Sequence, residues 1–339
     1  MNSKITVSAP GKLMLMGEHA VVYGRPCLVT ALGQRVKLTA QKLNQPIFEL
    51  DAPDLNIRHY KKDVSRLAVG EMPREARFAE TAAANFFFQY PARGGIKLES
   101  FSEIPSNVGL GSSSAIIVCV IKALSEVFGP KLTQRQIFDL AYKTILDVQR
   151  GGSGFDAAAA IWGGTLYFVT GGATIERVSD SLPLIVGWSG TKGDTAALIR
   201  QVADKAKEYP EIINNIFDQI EKIVESGKSA LIEKDWKTLG SLMNFNQGYL
   251  VSLGVSTKKL SEMVNAAADA GAWGAKISGA GGGDCMIALS PENKKMAIKA
   301  AIEKAGGQIV PVNTDAPGLR IEAESRLATS RQNTAINQR

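Results

Sequence analysis

The chain has 339 residues, 45% hydrophobic and 21% charged, which is enough to bury one large core or two ordinary ones and too apolar for overall disorder. Two histidines (His19, His59) and three well-separated cysteines (Cys27, Cys119, Cys285) leave too few ligands for a zinc cluster, no redox cysteine pair and little room for a hydrolase triad. The net charge of +6 is spread thinly, and half of it falls in 325–339, where Arg326, Arg331 and Arg339 stand without an acid.

Unpaired-looking thiols suit a reducing compartment, so a cytoplasmic location is expected. The N-terminus has no apolar signal core, and the two uncharged runs, 104–121 and 157–175, are broken by glycine and polar residues, so no membrane partner is expected. Basic residues do not interleave with aromatics in any stripe, and no nucleic-acid partner is expected either.

Hydrophobic periodicity predicts strands over 5–9, 26–31 and 35–43, a helix over 74–88, and a strand over 95–100. Helices follow over 113–128 and 133–146, then an apolar helix entered at Asp156, and strands over 165–169 and 184–188. Beyond residue 190 helices dominate, over 195–206, 211–226, 236–253 and 256–270. A strand over 286–289, a helix over 291–304 with Ser290 as N-cap, and a strand over 308–312 complete the chain. The change in texture places a first domain at 1–190, a second at 191–324 and a disordered tail at 325–339. Gly227-Lys228-Ser229 imitates the end of a phosphate-binding loop, but the required earlier glycine would fall at Lys222, so it reads as a helix C-cap and turn.

Three segments carry chemistry. In 105–115 (PSNVGLGSSSA), glycines let the backbone approach a ligand and serines open a buried helix whose N-terminus favours an anion, which makes a phosphate cradle. The bland alternative is an ordinary glycine-rich cap. In 276–285 (KISGAGGGDC), small residues again bring main-chain amides close to a ligand or a packed helix. At the N-terminus, 10–24 (PGKLMLMGEHAVVYG) sets Lys12, Glu18 and His19 in a strand-turn context. Asp156, following Gly151-Gly152-Ser153-Gly154-Phe155, reads either as an acid complementing a helix dipole or as a carboxylate held beside an attacking hydroxyl.

Taken in this order, the segments resemble the superfamily of galactokinase, homoserine kinase, mevalonate kinase and phosphomevalonate kinase, the GHMP kinases. Gly-Glu-His-Ala-Val-Val and the stretch 242–248 (LMNFNQG) are similar to the mevalonate kinase branch. The resemblance implies a two-domain α+β fold. Its N-terminal domain would be like the second domain of ribosomal protein S5, with a left-handed βαβ crossover, and its C-terminal domain would be ferredoxin-like. It implies ATP over Asn107, Val108, Gly109, Leu110, Gly111, Ser112 and Ser113, with Ser113 a Mg²⁺ ligand. Asp156 would take or orient the proton of the mevalonate C5 hydroxyl, and Lys12 would serve both Asp156 and the transferring phosphoryl group. Glu18, His19 and Thr195 would shape the acceptor pocket, closed by Gly279, Ala280 and Gly281.

The sequence departs from the family at one position: a Mg²⁺-binding Glu on the preceding helix corresponds to Ile145, and Asp147 lies about 200° around the helix from it. Gly-Ser-Gly-Phe-Asp and Gly-Gly-Gly-Asp-Cys are similar to phosphomevalonate kinase, so phosphomevalonate stays open as acceptor. A non-catalytic metabolite sensor of the same fold needs neither Lys12 nor Asp156. The oligomeric state, monomer or homodimer, is left open.

Overall fold

The computed structural model describes residues 4–105, 108–179 and 181–323. Two sheets organise them. The first contains β1 (Lys4–Met16), β2 (Pro26–Leu43), β3 (Ile47–Ala52), β4 (Ile57–Asp63), β5 (Gly95–Ser102), β6 (Thr165–Val169), β7 (Thr174–Ser179) and β12 (Arg320–Ile321). Its strand order is β12-β1-β2-β5-β3-β4, with β6 on β2 and β7 on β6. The long β2 makes this possible: its first residues pair with β6 and its last with β5. Among the described strands, β3 and β5 form the parallel pair, connected through β4 and a helix.

The strand expected over 5–9 does not stop at Ala9: a bulge between Pro10 and Lys12 absorbs Gly11, and β1 runs on to Met16. Helices α1 (Arg77–Gln89), α2 (Ser112–Phe128), α3 (Gln134–Gln149) and α4 (Phe155–Trp162) cover this sheet, with α2 and α4 packed on β1 and β2. From Ile117 to Ile121 every α2 side chain is fully buried, as its all-round apolarity predicts.

The second sheet, β8 (Leu184–Trp188), β9 (Gly274–Ser278), β10 (Cys285–Leu289) and β11 (Gln308–Val310), is antiparallel in the order β11-β8-β10-β9. Helices α5 (Thr195–Glu208), α6 (Pro210–Glu233), α7 (Trp236–Ser252) and α8 (Lys258–Asp269) separate β8 from β9, and α9 (Lys295–Lys304) separates β10 from β11. This is the ferredoxin-like βαββαβ pattern with extra helices in the first connection. The sheet begins at Leu184, ahead of the boundary expected at 190, and the chain returns to the first sheet at β12. Arg35, 5% exposed, holds that return by donating to the carbonyls of Pro317 (2.6 Å) and Gly318 (2.7 Å).

Two local expectations fail. Gly227-Lys228-Ser229 is not a turn but lies inside α6, because a Cβ on Gly227 would sit 2.8 Å from Met16 Sδ; the glycine lets the helix approach β1. Ser290 caps nothing: its hydroxyl donates to the Pro291 carbonyl, and α9 starts later, at Lys295. The tail 325–339 lies outside the described residues. No described helix is long and apolar enough to cross a membrane.

Candidate active site

Lys12 stands where three segments meet. The bulge in β1 brings its amide to the Leu110 carbonyl (2.9 Å), tying the strand to the glycine-serine loop. Its Nζ lies 3.0 Å from Asp156 Oδ1, donates to the Gly109 carbonyl at 3.3 Å and sits 5.2 Å from the centre of the Phe155 ring. The lysine side chain is 11% exposed and that of Asp156 31%, so the pair opens to solvent on the carboxylate side.

Both helices that reach this point begin without a side-chain cap. Gly111 precedes α2 at φ 85° and Gly154 precedes α4 at φ 93°, conformations that glycine adopts freely. Among the described residues no capping side chain consumes the first-turn N–H groups, and the positive ends of two helix dipoles join the ammonium in favouring an anion. Gly111 is also required by space, since its Cβ would lie 2.9 Å from Lys12 Cγ. Val108 and Leu110 are buried and anchor the loop, while Gly109 between them is exposed. Asn107 lies outside the described residues.

The second domain closes on this loop. The Cys285 thiol donates to the Val108 carbonyl (3.3 Å), and a Cβ on Gly109 would meet the Asp284 carboxyl at 2.7 Å. Asp284 has φ 59°, an uncommon conformation for a side chain-bearing residue, and its Oδ1 accepts from the Gly193 amide (3.2 Å). Burial raises its pKa, against that hydrogen bond and the fields of Lys12 and Lys192. Thr195 begins α5 two residues beyond Gly193 and is exposed.

His19, 5% exposed at φ 60°, donates from Nε2 to the Ala280 carbonyl (2.9 Å) across the domain boundary. Burial lowers its pKa from 6.5, opposed by that bond. The preceding Glu18 is paired with Lys276 of β9, both side chains fully buried. Ser278 adds a further crossing, donating to the Met14 carbonyl at 2.9 Å. Gly281 fits only as glycine: at φ 84° its Cβ would lie 2.2 Å from the Val255 carbonyl oxygen, whereas a Cβ on Gly279 would meet nothing.

Residues 77–164 match the GHMP kinases N terminal domain and residues 228–308 match GHMP kinases C terminal. A mevalonate kinase of Pyrococcus furiosus is 37% identical over 332 residues, covering 94% of this chain and 98% of the relative. The protein belongs to the GHMP kinase family. Among solved structures, the mevalonate kinase of Methanococcus jannaschii superposes with a TM-score of 0.78 at 25% identity, covering 93% of this GHMP kinase and 99% of that chain. The Lin0012 protein of Listeria innocua superposes with a TM-score of 0.84, also at 25% identity, over 94% and 99%.

The kinase therefore assembles Lys12, Asp156, Gly109 and Gly111 directly, with His19 of the same domain meeting Ala280 across the boundary and Gly281 next to Ala280 on the facing domain. Glu18 differs from its neighbours in the acceptor set, because its carboxylate is enclosed with Lys276 rather than open to a pocket. Lys276, Ser278, Asp284 and Asn246 received no role in the sequence reading. A lone lysine opening an otherwise small and apolar run was the available signal for Lys276. The family-like stretch 242–248 proves to brace β9: Asn244 accepts from the Ala275 amide (3.0 Å) and Gln247 from the Ile277 amide (2.9 Å). Asn246 is fully buried, and its side-chain oxygen takes the Gly17 amide at 3.4 Å.

Ile145 is 4% exposed, and a Cβ on Gly152 would lie 3.2 Å from its Cγ2, so the position expected for a metal-binding Glu is spent on packing. Asp147 does not replace it. It accepts from Lys143 Nζ (2.6 Å) and Asn85 Nδ2 (2.9 Å); burial opposes ionisation, but those bonds hold its pKa low. Among the described residues, no three His, Cys, Asp or Glu side chains form a metal cluster.

Proposed function

We propose that this kinase transfers the γ-phosphoryl group of ATP to the C5 hydroxyl of (R)-mevalonate, giving 5-phosphomevalonate, a step toward isoprenoid precursors. The observation that carries the reading is the Lys12–Asp156 pair, 3.0 Å apart, at two uncapped helix N-termini. The name of the 37% identical relative supplies the acceptor.

In this reading the Asn107–Ser113 loop binds the phosphates through main-chain amides, and Lys12 reaches the transferring group. The acceptor oxygen forms a bond to the γ-phosphorus, the bond from that phosphorus to the β-bridging oxygen breaks, and ADP leaves with the electron pair. Asp156 receives the hydroxyl proton, and Lys12 offsets charge developing on the phosphoryl oxygens. Phosphoryl transfer asks for positioning and electrostatics more than covalent chemistry, so this sparse set suffices. His19, Thr195 and the Gly279–Gly281 loop bound the acceptor, while Glu18 contributes through the turn it holds.

The donors fit a hard cation that arrives with the nucleotide: Ser113 is half-buried in the first turn of α2, and Asp156 supplies a carboxylate beside Lys12 at the same loop. Mg²⁺ there would neutralise phosphate charge while keeping several waters, which suits a site without a protein cage. Chelation is expected to abolish turnover, and added Mg²⁺ to restore it.

An ADP-release assay offered mevalonate, phosphomevalonate, homoserine and galactose separately decides the acceptor. Turnover is expected on mevalonate. Turnover confined to phosphomevalonate would move the assignment to that step, and ATP binding without turnover on any acceptor would favour the sensor.

A further inference from the structure

A buried lysine is expensive to keep, because desolvation of its ammonium is recovered only through close partners. Lys276 is fully buried in β9, and burial pulls its pKa down against the attraction of Glu18. Its partners are Glu18 Oε1 and its neighbour's carbonyl, on Ile277. The other Glu18 oxygen, Oε2, is buried and has no hydrogen-bond partner among the described residues, where Lys276 is the carboxylate's side-chain donor. Apolar residues of similar size would hold two packed domains together at least as well. Cohesion alone therefore does not require a charged pair here.

What it does follows from where Glu18 sits. The turn from Gly17 (φ 100°) to His19 (φ 60°) is left-handed at two of three positions, one of them not glycine, and such a turn needs fixing from outside. Beyond backbone bonds to Ala20, Val21 and Val22, its fixed points through side chains are the Gly17 amide on Asn246, the Glu18 carboxylate on Lys276 and the His19 ring on the Ala280 carbonyl. All three are supplied by the second domain, and Lys276 and Ala280 lie four residues apart on β9 and the glycine-rich loop that extends it.

We propose that Lys276 is a positioning residue for the acceptor: through Glu18 it sets the turn that presents His19 to Ala280, so the acceptor wall forms only when the two domains are in register. This rests on the acceptor side lying between His19 and the 279–281 loop, as proposed above.

The test compares Lys276→Met, Glu18→Gln and the double variant, by thermal unfolding, steady-state kinetics with each substrate varied, and NMR of the histidine rings. With only two histidines in the chain, exposed His59 is an internal control for His19. The double variant removes both charges, so it regains most of the midpoint lost by Lys276→Met alone. Its KM for mevalonate stays raised by about tenfold or more, with KM for ATP within about twofold, and the His19 signals shift while those of His59 do not.

A double variant with wild-type KM for the acceptor and unshifted His19 signals would overturn the proposal, leaving the pair purely structural. If Lys276→Met does not fold, the double variant alone carries the comparison. If the wild-type enzyme turns over phosphomevalonate and not mevalonate, the substrate reading fails independently, and the KM for phosphomevalonate becomes the measured quantity.

Discussion

Replacing Lys12 with methionine keeps most of the length and packing of the side chain while deleting its charge, which isolates what the ammonium contributes. In the folded protein it faces Asp156 at 3.0 Å and the Gly109 carbonyl at 3.3 Å. At the effective dielectric suited to a partly buried pair, the gross attraction to the carboxylate is about 5 kcal/mol. Little of this appears as stability, because Asp156 is 31% exposed and regains water when the lysine is lost; about 1 kcal/mol is expected.

The larger effect belongs to the transition state, where charge develops on phosphoryl oxygens beside a preorganised cation. Removing one such group costs about 3–4 kcal/mol, or roughly 10²–10³ in kcat. Lys12→Met should therefore fold with a nearly unchanged midpoint and bind ATP within a few-fold of wild type. In a coupled ADP-release assay it should turn over at about a hundredth of the wild-type rate or less. A folded Lys12→Met enzyme keeping kcat within about threefold would refute the placement of Lys12 at the transferring group.

Histidine 19 gives the protein a pH dependence with a definite sign. Burial holds its folded pKa below 6.5, so the unfolded chain binds the extra proton first, and stability present above pH 6.5 is lost as pH falls through that value. His19→Asn should flatten this part of a midpoint-versus-pH curve measured between pH 5 and 8. Asp284 has the opposite linkage: its raised pKa means that ionisation opposes folding as pH rises. Asp284→Asn should raise the unfolding midpoint at pH 7, with a gain that shrinks toward pH 4; an unchanged midpoint would show that the buried carboxylate is better compensated than its partners suggest. Gly281→Ala forces a Cβ to 2.2 Å from a backbone oxygen and should cost about 3 kcal/mol or more, whereas Gly279→Ala, with open space at φ 94°, should cost about 1 kcal/mol. Chemical denaturation of the two variants side by side checks the ranking.

The sequence was most readable where one local rule dominated. The uniform apolarity of Ile117–Ile121 announced a fully buried helix, and the strands Thr165–Val169 and Leu184–Trp188 stand where their patterns predict. Reading failed where distant contacts overrode a local signal. The strand pattern over 5–9 stops at Ala9, but pairing with β2 across a bulge carries β1 on to Met16. Gly227 looked like a cap, but packing on Met16 kept it helical. Gly274–Ser278 reads as a loop because its residues are small, but pairing with β10 along its length makes it a strand, and Asn244 and Gln247 on α7 take the Ala275 and Ile277 amides.

The same division runs through the site. Glycines before helices, a lysine and an aspartate in their motifs, and the scarcity of histidine are local facts; the amino-acid order marked the glycine-serine loop as a candidate phosphate cradle, and the family resemblance singled out Lys12 and Asp156. That Lys12 and Asp156 form one pair, that Glu18 is enclosed by Lys276, and that His19 reaches Ala280 depend on residues 144, 258 and 261 positions apart. Contacts at such separations are set by how two sheets and their helices pack. No periodicity or spacing encodes them, and only the tertiary structure decided which charges of this kinase meet in its site and which are buried to hold it.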